Sequence, residues 1–173
     1  MGSVIRALKS TVRSAWNREE TFLSNPLSFR LALTSERAPL EALQTRASLN
    51  NPGDRAALLA NPDAIALPDQ QIDAGQVVVA ELDGRIVGFA SVLPRADGDC
   101  ELDGLFVEPD QWRNGIGGAL VAECIAMARA QGSTVLHVIG NPHAAAFYSA
   151  CGFEQSGTHP TRFGVGLLFQ RKL

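Results

Sequence analysis

Apolar residues recur along this chain with two periods, and the switches between them mark its elements. FRLALT (Phe29–Thr34) alternates as a short strand. PLEALQTRASL then begins with Pro39 in a first helical turn and sets Leu40, Leu43 and Ala47 on one face. NNPGD breaks the pattern, RAALLAN predicts a second short helix, and PDAIALPDQQIDAG reads as a polar connector bearing proline. Three strands follow. QVVVAEL is joined to RIVGFASVL by Asp83-Gly84, a two-residue hairpin signal, and PRADGD turns the chain again into CELDGLFV. A helix from Gly115 to about Gln131 keeps Ile116, Leu120, Cys124 and Met127 in register. STVLHVI is a β-branched strand. Asn141 as N-cap, Pro142 at the first helical position and Gly152 just past the end bracket a helix over HAAAFYSAC. FEQSG and GVGLLFQRKL read as a final strand pair.

This order predicts an α/β (α+β) fold: a mixed, mostly antiparallel central sheet covered by helices. A single domain over residues 29–173 accounts for it, and residues 1–28 form an N-terminal extension. The start of that extension, MGSVIRALKSTVRSAWNR, is basic and free of acid, as in a transit peptide. It also sets Val4, Ile5, Leu8, Val12 and Trp16 near one helical face, and a helix docking on the domain is the expectation. Arg6 occupies the Ser/Thr position of a myristoylation pattern, which therefore fails.

Composition narrows the classes of function. A net charge of -3 and no basic stripe argue against a nucleic-acid partner. The apolar runs are broken well before bilayer length, so no membrane span is expected. Cys100, Cys124 and Cys151 are odd in number, far apart and set in apolar runs. They predict buried thiols in a reduced, cytoplasmic compartment. His137, His143 and His159 lack metal-ligand spacing, so no metal is expected.

RNGIGGAL then poses a question, because Gly115, Gly117 and Gly118 stand at the entrance to a helix. Glycine is about 1 kcal/mol worse than alanine inside one. A helix start exposes unpaired N–H groups and the positive end of its dipole, and bare glycines let a phosphate approach them. No Gly-Lys-Ser/Thr follows, which excludes the P-loop, and Leu120 stands where the dinucleotide fingerprint needs its third glycine. A phosphate cradle and a helix start packed tightly on the sheet remain the two readings of this stretch alone.

NPHAAAFYSACGFEQSG (Asn141–Gly157) is a second signal. Together the two stretches resemble the GNAT superfamily of acyl-CoA-dependent N-acyltransferases. That family reads Arg/Gln-x-x-Gly-x-Gly/Ala at its long central helix and later Asn-x-x-Ala-x-x-Phe-Tyr-x-x-x-Gly-Phe. Here Gly115 and Gly117 meet the first pattern. Asn141, Ala144, Phe147, Tyr148, Gly152 and Phe153 meet the second. Trp112 stands where the family carries Arg or Gln, with Arg113 one place later.

The resemblance implies acetyl-CoA as co-substrate and a primary amine, on a small molecule or peptide, as acceptor. The protein would act as a monomer or homodimer. Pyrophosphate would sit on backbone N–H groups of Asn114, Gly115, Ile116, Gly117 and Gly118, extending to Ala119, with Arg113 as charge partner. A Cβ at Gly117 would crowd that cradle. The pantetheine arm would add like a strand to backbone groups of Leu105, Phe106 and Val107, with Gly104 easing a bulge there. Asn141 would contact the arm, and Phe147 would complete the cofactor site. Tyr148 would protonate or hydrogen-bond the departing sulfur. Glu101 is the candidate base, Asp103 the second candidate, and ordered water a third. The acidic run Asp97, Asp99, Glu101 and Asp103 suits either a cationic acceptor or a solvated hairpin. A non-catalytic acyl-CoA sensor is the alternative function, and an unrelated nucleotide-phosphate binder the third reading.

Overall fold

The computed structural model describes residues 26–173; the expected N-terminal docking helix lies outside the described residues. Strand β1 (Ser28–Leu31) leads into α1 (Arg37–Asn50), α2 (Pro52–Ala60) and a short α3 (Asp69–Asp73). The meander β2 (Val77–Leu82), β3 (Arg85–Pro94) and β4 (Cys100–Val107) precedes α4 (Ile116–Ala130). Then come β5 (Val135–Gly140), α5 (Ala145–Ala150), β6 (Glu154–Thr161) and β7 (Gly164–Lys172). Several details differ from the pattern reading: the helix after Asn141 opens as a 3-10 turn over Pro142–Ala144 before α5, and β6 runs beyond the expected FEQSG to Thr161. The proline-bearing connector holds α3, whose five residues are too few to show a helical period. The supposed break NNPGD is a helix start, with Asn51 accepting from the Gly53 N–H and Pro52 opening α2.

All seven strands form one sheet in the order β1-β2-β3-β4-β5-β7-β6. Every neighbouring pair is antiparallel except β4 with β5, which α4 connects. Both faces are covered, so β2 and β3 read as near-continuous apolar runs rather than alternating ones. Leu120, Val121 and Cys124 of α4 pack on Val92, Leu102 and Leu136 on one face. Leu40 and Leu43 of α1 meet Val77, Val79 and Phe89 on the other. Each such fully buried aliphatic side chain contributes about 1.5–3 kcal/mol.

The parallel pair sets up the site, because it is so short. Only Cys100–Leu102 pair with Leu136–Val138. Past Leu102 the two strands part. A bulge assists: Ser91 opposes Gly104 while Val92 opposes Leu102, leaving Asp103 as the extra residue. It lies one position before Gly104, where the bulge was expected. β5 stays engaged by β7 through Gly140, and the far half of β4 keeps one edge open. Glu108, at the exit of β4, is buried and held by Arg46 of α1 at 2.5 Å. A buried carboxylate needs such a partner, and this pair fixes where the chain leaves the sheet for the glycine turn.

Candidate active site

The opening between β4 and β5 is a continuous cleft made of two joined cavities. The first, about 430 Å³, runs along the end of β4 to the start of α4. The second, about 460 Å³, reaches between β5, α2 and the β6–β7 hairpin. Ser48, Asn51, Asp54, Leu105 and Phe106 line both and so mark the junction.

The three glycines at the start of α4 have three separate tasks. Gly115 caps the helix at φ 81°, a left-handed conformation that costs a non-glycine residue roughly 1 kcal/mol or more. A Cβ on Gly117 would stand 3.2 Å from Cε2 of Phe147 and 3.3 Å from its Cζ. Its bare side thus makes room for that ring, while Gly117 itself still lines the cavity. A Cβ on Gly118 would meet nothing within 4 Å, and Gly118 lines the cavity. Gly118 is therefore a glycine whose missing side chain leaves the cavity open. The N–H groups of Ile116, Gly117 and Gly118 head the helix with no intrahelical carbonyl to reach. The Ala119 N–H instead donates to the Gly115 carbonyl at 3.0 Å, so Ala119 is removed from the predicted cradle.

Strand register decides which groups of β4 face the cleft. The Glu108 N–H donates to the Val87 carbonyl at 2.8 Å, so antiparallel alternation turns the backbone of Phe106 toward β3 and that of Leu105 and Val107 away. Phe106, expected to offer its backbone, turns that backbone toward β3 and still lines the cleft. The Val107 carbonyl accepts from the Trp112 indole N–H at 2.7 Å. Trp112 thereby braces the glycine turn against the strand it leaves. Arg113 lines the cavity, is exposed and has no ion-pair partner among the described residues.

Tyr148 and Asn141 stand in the second cavity. Asn141 caps the turn into α5, its Oδ1 accepting from the Ala144 N–H at 3.0 Å. Its Nδ2 donates to Asp54 at 2.8 Å, and Asp54 also accepts from Asn51 Nδ2 at 2.9 Å. Asp54 thus ties α2 to the parted end of β5. Tyr148 is 8% exposed and ringed by Phe147, Phe153 and Phe169 at centroid distances of 5.3–5.7 Å. Its ring lies so close over Gly140 that a Cβ there would come within 2.6 Å of Cε2. Burial pushes the phenol up to about 12. The hydroxyl has no hydrogen bond from the described residues, and none of their fully buried side-chain oxygens lacks a partner. The hydroxyl therefore reaches open cavity.

The acidic run separates into distinct roles. Asp97 and Glu101 share Arg95, at 2.9 and 3.1 Å. Asp99 accepts from the Thr134 and Val135 N–H groups at 3.0 Å, which hold its carboxyl down to about 2 and secure the start of β5. Asp97, Asp99 and His137 bring one ligand atom each within 4.8 Å of one another, a cluster invisible in sequence, but Arg95 and the amides already occupy these carboxylates. Glu101 sits where β4 still pairs with His137 of β5, and it lines neither cavity. Asp103 is the first residue past that pairing and lines the second cavity. Desolvation, with the Glu101 charge adding, raises its carboxyl above the usual range, against a hydrogen bond from Ser91.

Of the residues singled out from sequence, the structure gathers Leu105, Phe106, Val107, Arg113, Gly115, Gly117, Gly118 and Phe147 around one cavity. Asn141 and Tyr148 line the other. Asn114, Ile116, Ala119 and Glu101 line neither, although the Ile116 N–H heads α4 while its side chain enters the core. Sequence reasoning passed over Asn51, Asp54 and Gly140. An Asn-Pro helix start was the available signal for the first two.

Known proteins resemble this chain in sequence and in fold. The acetyltransferase (GNAT) family profile matches residues 45–153. An amino-acid acetyltransferase of Ectopseudomonas mendocina is 40% identical over 82 residues, 47% of this chain and 19% of that protein. An uncharacterised N-acetyltransferase of Mycobacterium bovis is 33% identical over 92 residues, 51% of this chain and 59% of that one. The chain thus spans less than two thirds of the length of these relatives. In fold it resembles the PaiA N-acetyltransferase of Thermoplasma acidophilum, solved with coenzyme A. That likeness has a TM-score of 0.70 at 15% identity, over 86% of this chain and 99% of the other. With its parted β4 and β5, its glycine-headed α4 and a profile match across most of the domain, the chain belongs to the GNAT acetyltransferase family.

Proposed function

We propose that this protein transfers an acetyl group from acetyl-CoA to a primary amine by direct attack on the thioester. The observation that carries this reading is the Tyr148 hydroxyl, without a hydrogen-bond partner among the described residues and open to the cavity that adjoins the glycine-headed helix start. The cofactor side fits the chemistry of CoA. The N–H groups heading α4, which have no partner among the described residues, and the exposed Arg113 suit a pyrophosphate, and the open edge at Leu105 and Val107 suits an amide-bearing arm.

Acetyl-CoA supplies an acetyl group already activated as a thioester. As the amine nitrogen bonds to the carbonyl carbon, the carbon–sulfur bond breaks and the sulfur needs a proton. Tyr148, neutral far above pH 7, holds that proton at its hydroxyl. The amine must shed one, and Asp103 is positioned to take it, directly or through water, because it lines the acceptor side and its basicity is raised. Glu101, bound to Arg95 outside the cavity, is the less suited of the two acids. No helix among the described residues is long and apolar enough to cross a membrane, and the three unpaired thiols fit a reducing cytoplasm.

The test is a mass-spectrometric screen of amines and peptides with acetyl-CoA, scored by acetylated product and released CoA. Product formation supports the reading. CoA binding without product from any amine overturns it and leaves an acyl-CoA sensor.

A further inference from the structure

Resting on that reading, we propose that the acceptor is a primary amine carried on an apolar, aromatic-sized body with no carboxylate beside the amino group. The charges lining the acceptor cavity all have one sign: Asp103 and Asp54 line it, His143 is the other titratable side chain apart from Tyr148, and no Lys or Arg lines it among the described residues. Two carboxylates attract an ammonium and repel a neighbouring carboxylate. At the tip of the β6–β7 hairpin, Arg162 stacks its guanidinium on the Phe163 ring, 5.4 Å from the centroid. It is engaged by Asp63 at 2.9 Å and Asn61 at 3.1 Å, and lies outside the lining. That contact pins the hairpin to the turn after α2 and makes it a wall of the cavity.

The wall is apolar. Three of the seven large hydrophobic side chains exposed among the described residues face this one cavity: Ile139 at 38%, Phe163 at 50% and Val165 at 62%. Leu58 and Ile65 face them from the α2 side. Apolar side chains gathered in a cleft stay exposed at a cost unless a ligand covers them, and scattered surface leucines such as Leu31 and Leu59 do not form such a site. An amine whose body fills this wall and whose charge meets Asp103 satisfies both features. A free amino acid satisfies only one.

Calorimetry on the full chain with CoA bound, using phenethylamine, L-phenylalanine and L-phenylalaninamide, tests this. The three share one ring and one amino group and differ at the carboxylate. Phenethylamine should bind at least about tenfold tighter than phenylalanine, the discrimination one misplaced charge commonly gives, with the amide recovering most of the loss. Phe163→Ser should weaken phenethylamine, and Ile65→Arg should raise the affinity for phenylalanine. Equal or tighter binding of phenylalanine, or binding of none of the three, overturns the proposal. Acetyl-CoA in place of CoA then separates the two readings. Preferential binding of phenethylamine without its acetylation keeps the acceptor inference and sinks acetyl transfer. Preferential acetylation of phenylalanine does the reverse.

Discussion

The Cβ that Gly117 lacks would stand 3.2 Å from Cε2 of Phe147, so the start of α4 and the body of α5 meet through a missing side chain. Gly117→Val should overfill this contact and destabilise the protein by about 1–3 kcal/mol, the usual cost of overpacking. Phe147 is only half-buried, so its truncation leaves room. In a Phe147→Ala background the cost of Gly117→Val should therefore largely vanish. A double-mutant cycle by chemical unfolding measures the coupling; strictly additive effects would show that the two residues do not press on each other.

Gly118 predicts the opposite trade. Nothing lies within 4 Å of the Cβ it lacks, and alanine is the better helix former. Gly118→Ala should raise the stability of the unliganded protein by up to about 1 kcal/mol. The same methyl projects into the cofactor cavity and should weaken CoA binding. Thermal unfolding with and without CoA reads both effects, since a ligand bound only by the native state stabilises it. A Gly118→Ala protein that binds CoA like the wild type would move the phosphate site elsewhere.

Tyr148→Phe removes a hydroxyl that has no bond from the described residues and keeps the ring that packs on Phe153 and Phe169. Turnover should fall about 10²–10⁴-fold, the range for general acid catalysis, while the melting temperature stays nearly constant. Because the phenol ionises near 12 rather than 10, the wild-type rate should show no alkaline fall through pH 10. Retained turnover in Tyr148→Phe, measured by CoA release, removes Tyr148 as the acid.

Asp103 predicts linked effects of pH on rate and stability. A base must be ionised, and its carboxyl is raised above the usual range, so the acid limb of kcat/KM should lie above the ordinary carboxylate value of about 4. Asp103→Asn should abolish that limb, whereas Glu101→Gln should leave it in place. The stability effect has the opposite sign to that of an ion-paired acid. A folded-state value above the unfolded one means that ionisation destabilises the fold as pH rises through that interval. Asp103→Asn should therefore raise the melting temperature at neutral pH, and the gain should disappear below the unfolded carboxylate value. A melting temperature lowered at pH 7 would show that the Asp103 charge is held by partners rather than poised as a base.

What the sequence alone determined is the local chemistry. The Asp83-Gly84 turn adopts φ values of 51° and 74°, Asn141 caps its turn, Gly152 ends α5 at φ 79°, and Gly115 opens α4 in the left-handed region. Each depends on residues within about one helical turn, where backbone sterics and unpaired N–H groups leave few choices. The element order and the two family motifs are legible for the same reason. Tertiary structure decided the rest. Glu101 and Asp103 are indistinguishable as strand acids until β4 and β5 part after Leu102. Gly117 and Gly118 are interchangeable in a motif until the Phe147 ring arrives over one of them. Asp54 looks like a turn residue until Asn141, 87 positions away, donates to it. Such roles follow from packing between distant segments, and no local period or propensity encodes which segment a side chain will meet.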